Sequence, residues 1–206
     1  MPTEQTKRGE VISFIGAPGV GTSFLTKQMA CRHSSPGFFE GEEGIFTPSV
    51  IDVLNSEVDS PDRWKWITDR IRTMLERAHA IADAGITSYV DGDVLLVEAW
   101  LESEIGDQSP PYLQQWLTTN KHLMAHKVLV LTADERKLQE NRLLRGRASE
   151  QTAFVAQRAA RIQQACQKLQ DTYAHVRVLD RSELDFTNTK TLDMVDDILS
   201  DMTAHV

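Results

Sequence analysis

The sequence lacks several features that would place the protein in a specialised class. Its only cysteines, Cys31 and Cys166, lie far apart and outside any CxxC or Cys/His spacing, so neither a disulfide framework nor a zinc site is indicated. No stretch approaches the roughly 20 apolar residues of a membrane span, and residues 1–10 contain no signal-peptide core. We therefore expect a cytoplasmic protein that does not enter a membrane.

Basic residues are also scarce. The chain has 22 Lys and Arg against 30 Asp and Glu, and a net charge of −8 argues against a surface that binds nucleic acid. Any anion site must therefore be local. The 206 residues are 41% hydrophobic and contain no linker or repeat, so residues 1–206 are expected to form one domain.

Short apolar strands alternate with amphipathic helices along the chain. The pattern predicts a loop with one short helix at 41–60, strands at 11–15, 37–40, 86–90, 127–131 and 176–179, and helices from Thr22, at 62–84, 110–125, 134–145, 150–173 and 189–202. Such alternation favours a three-layer α/β fold, with a mostly parallel sheet of about five strands and helices on both faces.

The turn between the first strand and the first helix has the composition of a phosphate loop. It consists of Gly16-Ala17-Pro18-Gly19-Val20-Gly21-Thr22-Ser23. Backbone N–H groups in such a turn, together with the helix N-terminus, can hold the polyphosphate of ATP, and Ser23 offers the hydroxyl that ligates Mg²⁺. The alternative is an ordinary glycine-rich turn, which the strand, the glycine spacing and the hydroxyl together disfavour.

One position of this loop departs from the P-loop motif G-x-x-x-x-G-K-[ST]. The chain has Thr22 where the motif has the lysine that reaches the β- and γ-phosphates. A replacement cation would have to come from elsewhere, such as Lys27 one turn further along the helix or an arginine of the segment 136–147.

A second basic segment occupies residues 142–151. Arg145 and Arg147 flank a glycine between two predicted helices, and arginines placed so can close over phosphate oxygens as a mobile lid. The alternative is a solvated helix end, where arginines complement the helix dipole.

Together these segments resemble the deoxynucleoside kinases. The residues that carry the similarity are Tyr112 and Trp116 on one helix, Thr132-Ala133-Asp134-Glu135 after a strand, the lid pattern R-G-R-x-x-E, Asp62-Arg63-Trp64 opening the long helix, Asp185-Phe186 after the last strand, and Glu40. The likeness covers nearly the full chain, although only the phosphate loop and the lid are specific motifs.

The resemblance implies a role at the phosphates for several residues. Glu40 would take the proton of the sugar hydroxyl that attacks the γ-phosphate, and Asp91 is the next candidate for that role. Arg145 and Arg147 would stabilise the charge in transfer, and Arg142 would contact the donor nucleotide. The loop, Glu40, Asp91, Arg145, Arg147 and Glu150 are expected to meet at the carboxyl edge of the sheet.

The resemblance also implies a nucleoside pocket. Trp64 would line it, and Asp69 stands where the family has its base-reading glutamine. Glu150 would hold the 3′-hydroxyl of the sugar.

Two functions remain open. One is phosphorylation of a deoxynucleoside, or of a deoxynucleoside monophosphate, with ATP and Mg²⁺. The other is a nucleotide-binding or partner-binding protein of the same fold without catalysis, because Thr22 replaces the lysine and Gly92 replaces the strand-end arginine of the family. Loss of one preorganised charge commonly costs about 10²–10³ in rate. The sequence does not fix the base or the oligomeric state, and a homodimer stays open.

Overall fold

The computed structural model describes residues 8–39, 61–104, 111–145 and 153–205. Its strands are β1 (Val11–Gly16), β2 (Gly37–Phe38), β3 (Ser88–Asp91), β4 (Lys127–Thr132) and β5 (Val176–Asp180). They form one sheet in the order β2-β3-β1-β4-β5, and all neighbours are parallel. The predicted parallel sheet is thereby confirmed, and β1 is its central strand.

The helices lie between the strands along the chain. They are α1 (Thr22–Arg32), α2 (Pro61–Asp83), α3 (Val94–Glu104), α4 (Pro111–Asn120), α5 (Glu135–Arg145), α6 (Ala153–Thr172) and α7 (Thr189–Asp201). None of the described helices is long and apolar enough to cross a membrane. The loop and short helix predicted for 41–60 lie outside the described residues.

Helices cover both faces of the sheet because each strand directs alternate side chains to opposite sides. Val11, Ile15 and Val130 belong to a core shared with α2, α3 and α6. Ile12 and Phe14 belong to a second core, shared with α1 and α7. The three-layer architecture expected from the alternation of elements is thereby confirmed.

The predicted helix at 110–125 is shorter than expected. Regular helix ends at Asn120, whose side-chain amide donates to the Trp116 carbonyl at 2.7 Å, and residues 121–123 form a 3₁₀ turn. The chain tightens from α-helical to 3₁₀ geometry after this residue.

The helix α3 was missed by the sequence analysis. Seven of its residues are buried: Val94, Leu95, Leu96, Val97, Ala99, Trp100 and Leu101. Because these apolar residues surround the helix, they lack the 3.6-residue periodicity that reveals a helix with one solvated face.

Histidines occupy the amino edge of the sheet, opposite the phosphate loop. His126 accepts a hydrogen bond from the Val11 N–H at 2.8 Å. His175 is buried, its ring stacks on His205 with a centroid distance of 4.6 Å, and its Nε2 atom has no hydrogen-bond partner among the described residues. Burial, and then the nearby His205 and His126, lower the pKa of His175 to about 4.

Acid should destabilise the protein through His175. Its folded-state pKa lies below the ordinary value of 6.5, so the unfolded chain binds the proton more tightly, and stability is lost as the pH falls from about 6.5 towards about 4. Between about pH 7.5 and about pH 5, we expect the wild type to lose roughly 2 kcal/mol more unfolding free energy than His175→Gln. Urea unfolding at both pH values measures this, and equal losses would contradict it.

Candidate functional site

The turn between β1 and α1 has the geometry of an anion-binding loop. Gly19 and Gly21 adopt left-handed backbone conformations, with φ of 94° and 98°. The Val20 N–H donates to the Ala17 carbonyl at 3.0 Å and closes the turn. Gly21 is the N-cap of α1, and no side chain of the described residues caps this helix. The first N–H groups of α1 therefore have no helical partner, and the helix dipole adds to their attraction for an anion.

The first residues of α1 bring no positive charge to this loop. Thr22 is partly exposed and Ser23 is exposed, so their hydroxyls lie where a ligand could reach them. Lys27 does not replace the missing lysine. It is exposed and lines a different cavity of about 380 Å³, together with Cys31, Ser34 and other residues near the far end of α1.

The helix α5 lies directly against the loop. Asn141 donates from its side-chain amide to the Gly19 carbonyl at 2.8 Å. Arg142 is buried, with 4% of its surface exposed, and its methylene groups pack against Gly19. Its Nη1 atom has no hydrogen-bond partner among the described residues. A basic residue of the predicted segment 142–151 thus lies at the phosphate loop, where the sequence analysis expected a contact with the donor nucleotide.

A second buried guanidinium, that of Arg181, reaches the loop from the end of β5. It donates to the Val20 carbonyl at 2.9 Å and to the Leu184 carbonyl at 3.3 Å, and it lies over the Phe186 ring at 4.6 Å from its centroid. Burial lowers the pKa of Arg181. No functional role of Arg181 was predicted from the sequence. Its place directly after a strand could have indicated one, because the carboxyl ends of parallel strands meet at one edge.

The two arginines leave no room for side chains at two loop positions. A Cβ atom on Gly19 would lie 2.9 Å from the Arg142 side chain, and one on Gly21 would lie 2.4 Å from a guanidinium nitrogen of Arg181. The glycines therefore serve both the left-handed backbone and the close approach of the arginines.

Asp91 lies at the same edge of the sheet. It ends β3, is buried, and pairs in register with Phe14 of β1. The next residue, Gly92, has a φ of 125°, and its N–H donates to the Phe14 carbonyl at 3.2 Å. Asp91 therefore stays a candidate for the chemistry, whereas the position of the family arginine is a glycine in a left-handed conformation.

Asp93, two residues later, has a structural environment. Its carboxylate accepts hydrogen bonds from the Leu95 N–H at 2.9 Å and from the Ala125 N–H at 3.0 Å. Burial raises its pKa to about 6, while these backbone bonds act in the opposite direction. The carboxylate thus joins the start of α3 to the chain that enters β4.

The two residues expected in a nucleoside pocket lie on α2. Trp64 is buried in the core that α2 shares with the sheet. Asp69 lies one turn further along and forms an ion pair of 3.2 Å with Arg72. Their predicted roles towards a nucleoside stay predictions.

Several predicted site residues fall outside the described part of the chain. They are Glu40, Arg147 and Glu150. Arg145 is the last residue of α5, but its side chain is not among the described ones. The described site therefore consists of the loop 16–23, Asp91, Arg142 and Arg181.

Known structures share this architecture. Thymidylate kinase from Candida albicans aligns with 94% of this chain and 92% of its own, at 14% identity and a TM-score of 0.61. Deoxyadenosine kinase from M. mycoides, with the products dCMP and a flexible dCDP bound, aligns with 92% of this chain and 98% of its own, at 12% identity and a TM-score of 0.66. Thymidylate kinase from Ehrlichia chaffeensis aligns with 93% and 99%, at 13% identity and a TM-score of 0.63.

These similarities establish the fold. The chain has the P-loop kinase fold, shared with deoxynucleoside and thymidylate kinases at low sequence identity. No family model and no curated relative matches the sequence.

The close approach of Arg181 to Gly21 can be tested by adding one methyl group. In Gly21→Ala the new Cβ would meet the guanidinium, and the residue would keep a φ of 98° that side chains rarely adopt. We expect a loss of about 1–3 kcal/mol in unfolding free energy, measured by urea unfolding. Thr22→Ala, one residue later in a helical position, should change it by less than about 0.5 kcal/mol. Similar values for both variants would contradict this account of the loop.

Proposed function

We propose that this protein is a kinase that transfers the γ-phosphate of ATP to the 5′-hydroxyl of a deoxynucleoside, with Mg²⁺ as cofactor. The observation that carries the proposal is Arg142, which is buried against Gly19 and whose Nη1 atom has no hydrogen-bond partner among the described residues. A buried charge without a partner is costly. A polyphosphate held by the neighbouring loop would supply that partner.

The loop would hold the phosphates of ATP through its backbone. The uncapped N–H groups at the start of α1 are donors to phosphate oxygens, and Arg142 adds charge-assisted bonds. Ser23 and Asp91 offer a hydroxyl and a carboxylate, and hard oxygen donors of this kind are what Mg²⁺ prefers. When bound there, Mg²⁺ would neutralise charge on the phosphates.

The acceptor side of the reaction would use residues from three segments. Trp64 and Asp69 would form part of the nucleoside pocket, and Glu150 would bind the 3′-hydroxyl. As the 5′-oxygen forms its bond to the γ-phosphorus and the bond to the leaving ADP oxygen breaks, Glu40 would accept the hydroxyl proton. Arg145 and Arg147 would stabilise the charge on the transferring group. Asp91 is the second candidate base.

Two other functions use the same loop. A deoxynucleoside monophosphate could be the acceptor, which the likeness to thymidylate kinases favours. A nucleotide-binding or partner-binding protein without catalysis is favoured by Thr22 and Gly92, which stand where the family has its lysine and arginine. In each case we place the protein in the cytoplasm, as a single domain whose ligand is a small nucleoside or nucleotide.

Removing the Arg142 charge should weaken nucleotide binding. We expect Arg142→Met to bind ATP with Mg²⁺ at least about tenfold more weakly than the wild type, as measured by calorimetric titration. Arg136→Met is the matched control, because Arg136 lies on the same helix, is exposed and pairs with Glu140.

Stability gives a second readout for Arg142. If the arginine serves a ligand, then Arg142→Met should leave the unfolding free energy of the ligand-free protein unchanged or raise it, because an unpaired buried charge is removed. A destabilised variant with unchanged ATP affinity would instead assign Arg142 a structural role.

The chemical step can be separated from binding at Glu40. We expect Glu40→Gln to abolish nucleoside-dependent ADP release while ATP affinity stays within about twofold of the wild type, because a general base acts in the transition state. Glu43→Gln, a substitution in the same segment, should retain activity. Absence of ADP release from the wild type with every common deoxynucleoside and monophosphate would reject the kinase and leave the binding protein.

A further inference from the structure

We propose that Arg181 takes the place of the lysine missing at position 22, as a positioning residue that orients the phosphate loop and gives it positive charge from behind. No part of the P-loop motif contains this residue. It comes from the loop after β5, where its backbone N–H still pairs with the Thr132 carbonyl at 2.9 Å and fixes its position beside β4.

The charge of Arg181 is not neutralised locally. Its side chain donates to two carbonyl oxygens, those of Val20 and Leu184, and it forms no ion pair with a carboxylate of the described residues. The negative charge of Asp185 acts to raise the pKa of Arg181 at longer range. The Asp185 carboxylate, however, accepts hydrogen bonds from the backbone N–H and the hydroxyl of Thr187. A guanidinium remains protonated in proteins, and a charge with 8% of its residue exposed is only weakly screened.

This charge lies beside the residue that comes before the replaced lysine. Position 21 directly precedes the replaced lysine, and a Cβ on Gly21 would lie only 2.4 Å from a guanidinium nitrogen of Arg181. A motif lysine is a point charge on a flexible stem, whereas Arg181 is held by two carbonyls and the Phe186 ring. The guanidinium of Arg181 is therefore a fixed cation on the side of the Val20 carbonyl, whereas a motif lysine would be a mobile cation on the side of the phosphates.

The bond to the Val20 carbonyl also orients a donor. The peptide between Val20 and Gly21 is planar and trans, so its C=O and N–H point in opposite directions. With the carbonyl held by Arg181 at 2.9 Å, the Gly21 N–H points away from the guanidinium. Arg181 thereby preorganises a backbone donor for an anion at the start of α1. The Nε atom of Arg181 is also buried, and it has no hydrogen-bond partner in the described part of the chain.

The test uses inorganic tripolyphosphate, because it probes the anion site without base, sugar or catalysis. This inference rests on the proposed function only in taking a polyphosphate as the ligand of the loop. In calorimetric titration of the full chain, we expect Arg181→Gln to bind tripolyphosphate at least about tenfold more weakly than the wild type, and Arg181→Lys to lie between them. Arg177→Gln is the matched control, since Arg177 is an exposed arginine of β5 that also donates to carbonyls, near the amino end of the strand and away from the phosphate loop.

Rescue distinguishes charge from mere support of the loop. Adding Thr22→Lys to Arg181→Gln should recover at least about threefold of the lost affinity, because an ammonium returns at the motif position. If Arg181→Gln does not fold in a thermal unfolding assay, the comparison of Arg181→Lys with and without Thr22→Lys takes its place.

Several outcomes would overturn the inference. They are tripolyphosphate affinity of Arg181→Gln within about twofold of the wild type, a loss that Thr22→Lys does not reduce, and no binding by the wild type at all. A wild type that binds tripolyphosphate through Arg181 but releases no ADP with any nucleoside would reject the proposed kinase activity while supporting the role of Arg181.

Discussion

The hydrogen bonds that β1 forms along both of its edges position the phosphate loop beside Asp91 and Arg181. β1 pairs with β3 through Phe14 and Asp91, and with β4 through Gly16 and Leu131. The loop therefore leaves the sheet between two neighbouring strand ends, and β5 brings Arg181 to the same edge. All strands of this sheet are parallel, so the residues that follow their carboxyl ends lie near one another even where they form no contact.

The chain is acidic overall, and the positive charges beside the phosphate loop lie inside the protein. The chain carries a net charge of −8, and the positive potential at the loop comes from backbone N–H groups and two buried guanidiniums. Charges held inside the protein are screened by salt much less than surface lysines. Charge held in this way would act locally, as the composition requires of any anion site in this chain.

The periodicity of the sequence predicts the fold, but the sequence predicts only part of the candidate site. The strand 127–131 has the continuous apolar run of a strand buried on both faces, and the amphipathic α2 has the spacing of a helix buried on one side. The glycine loop is recognisable from its local spacing. The helix α3 was missed because it is buried all round. Arg181 was missed because its importance depends on a contact 161 residues away along the chain, with Val20. A local sequence pattern does not indicate which carbonyl a guanidinium far away in the sequence will bind.

The seven buried residues of α3 make this helix a central part of the core on its face of the sheet. α3 packs against α6, where Tyr173 just beyond that helix donates to Glu98 at 2.9 Å and Lys168 pairs with Glu102 at 2.5 Å. A fragment that ended before α6 would expose an apolar helix with few polar groups to solvate it. The contacts between α3 and α6 therefore join the first and last parts of the described core.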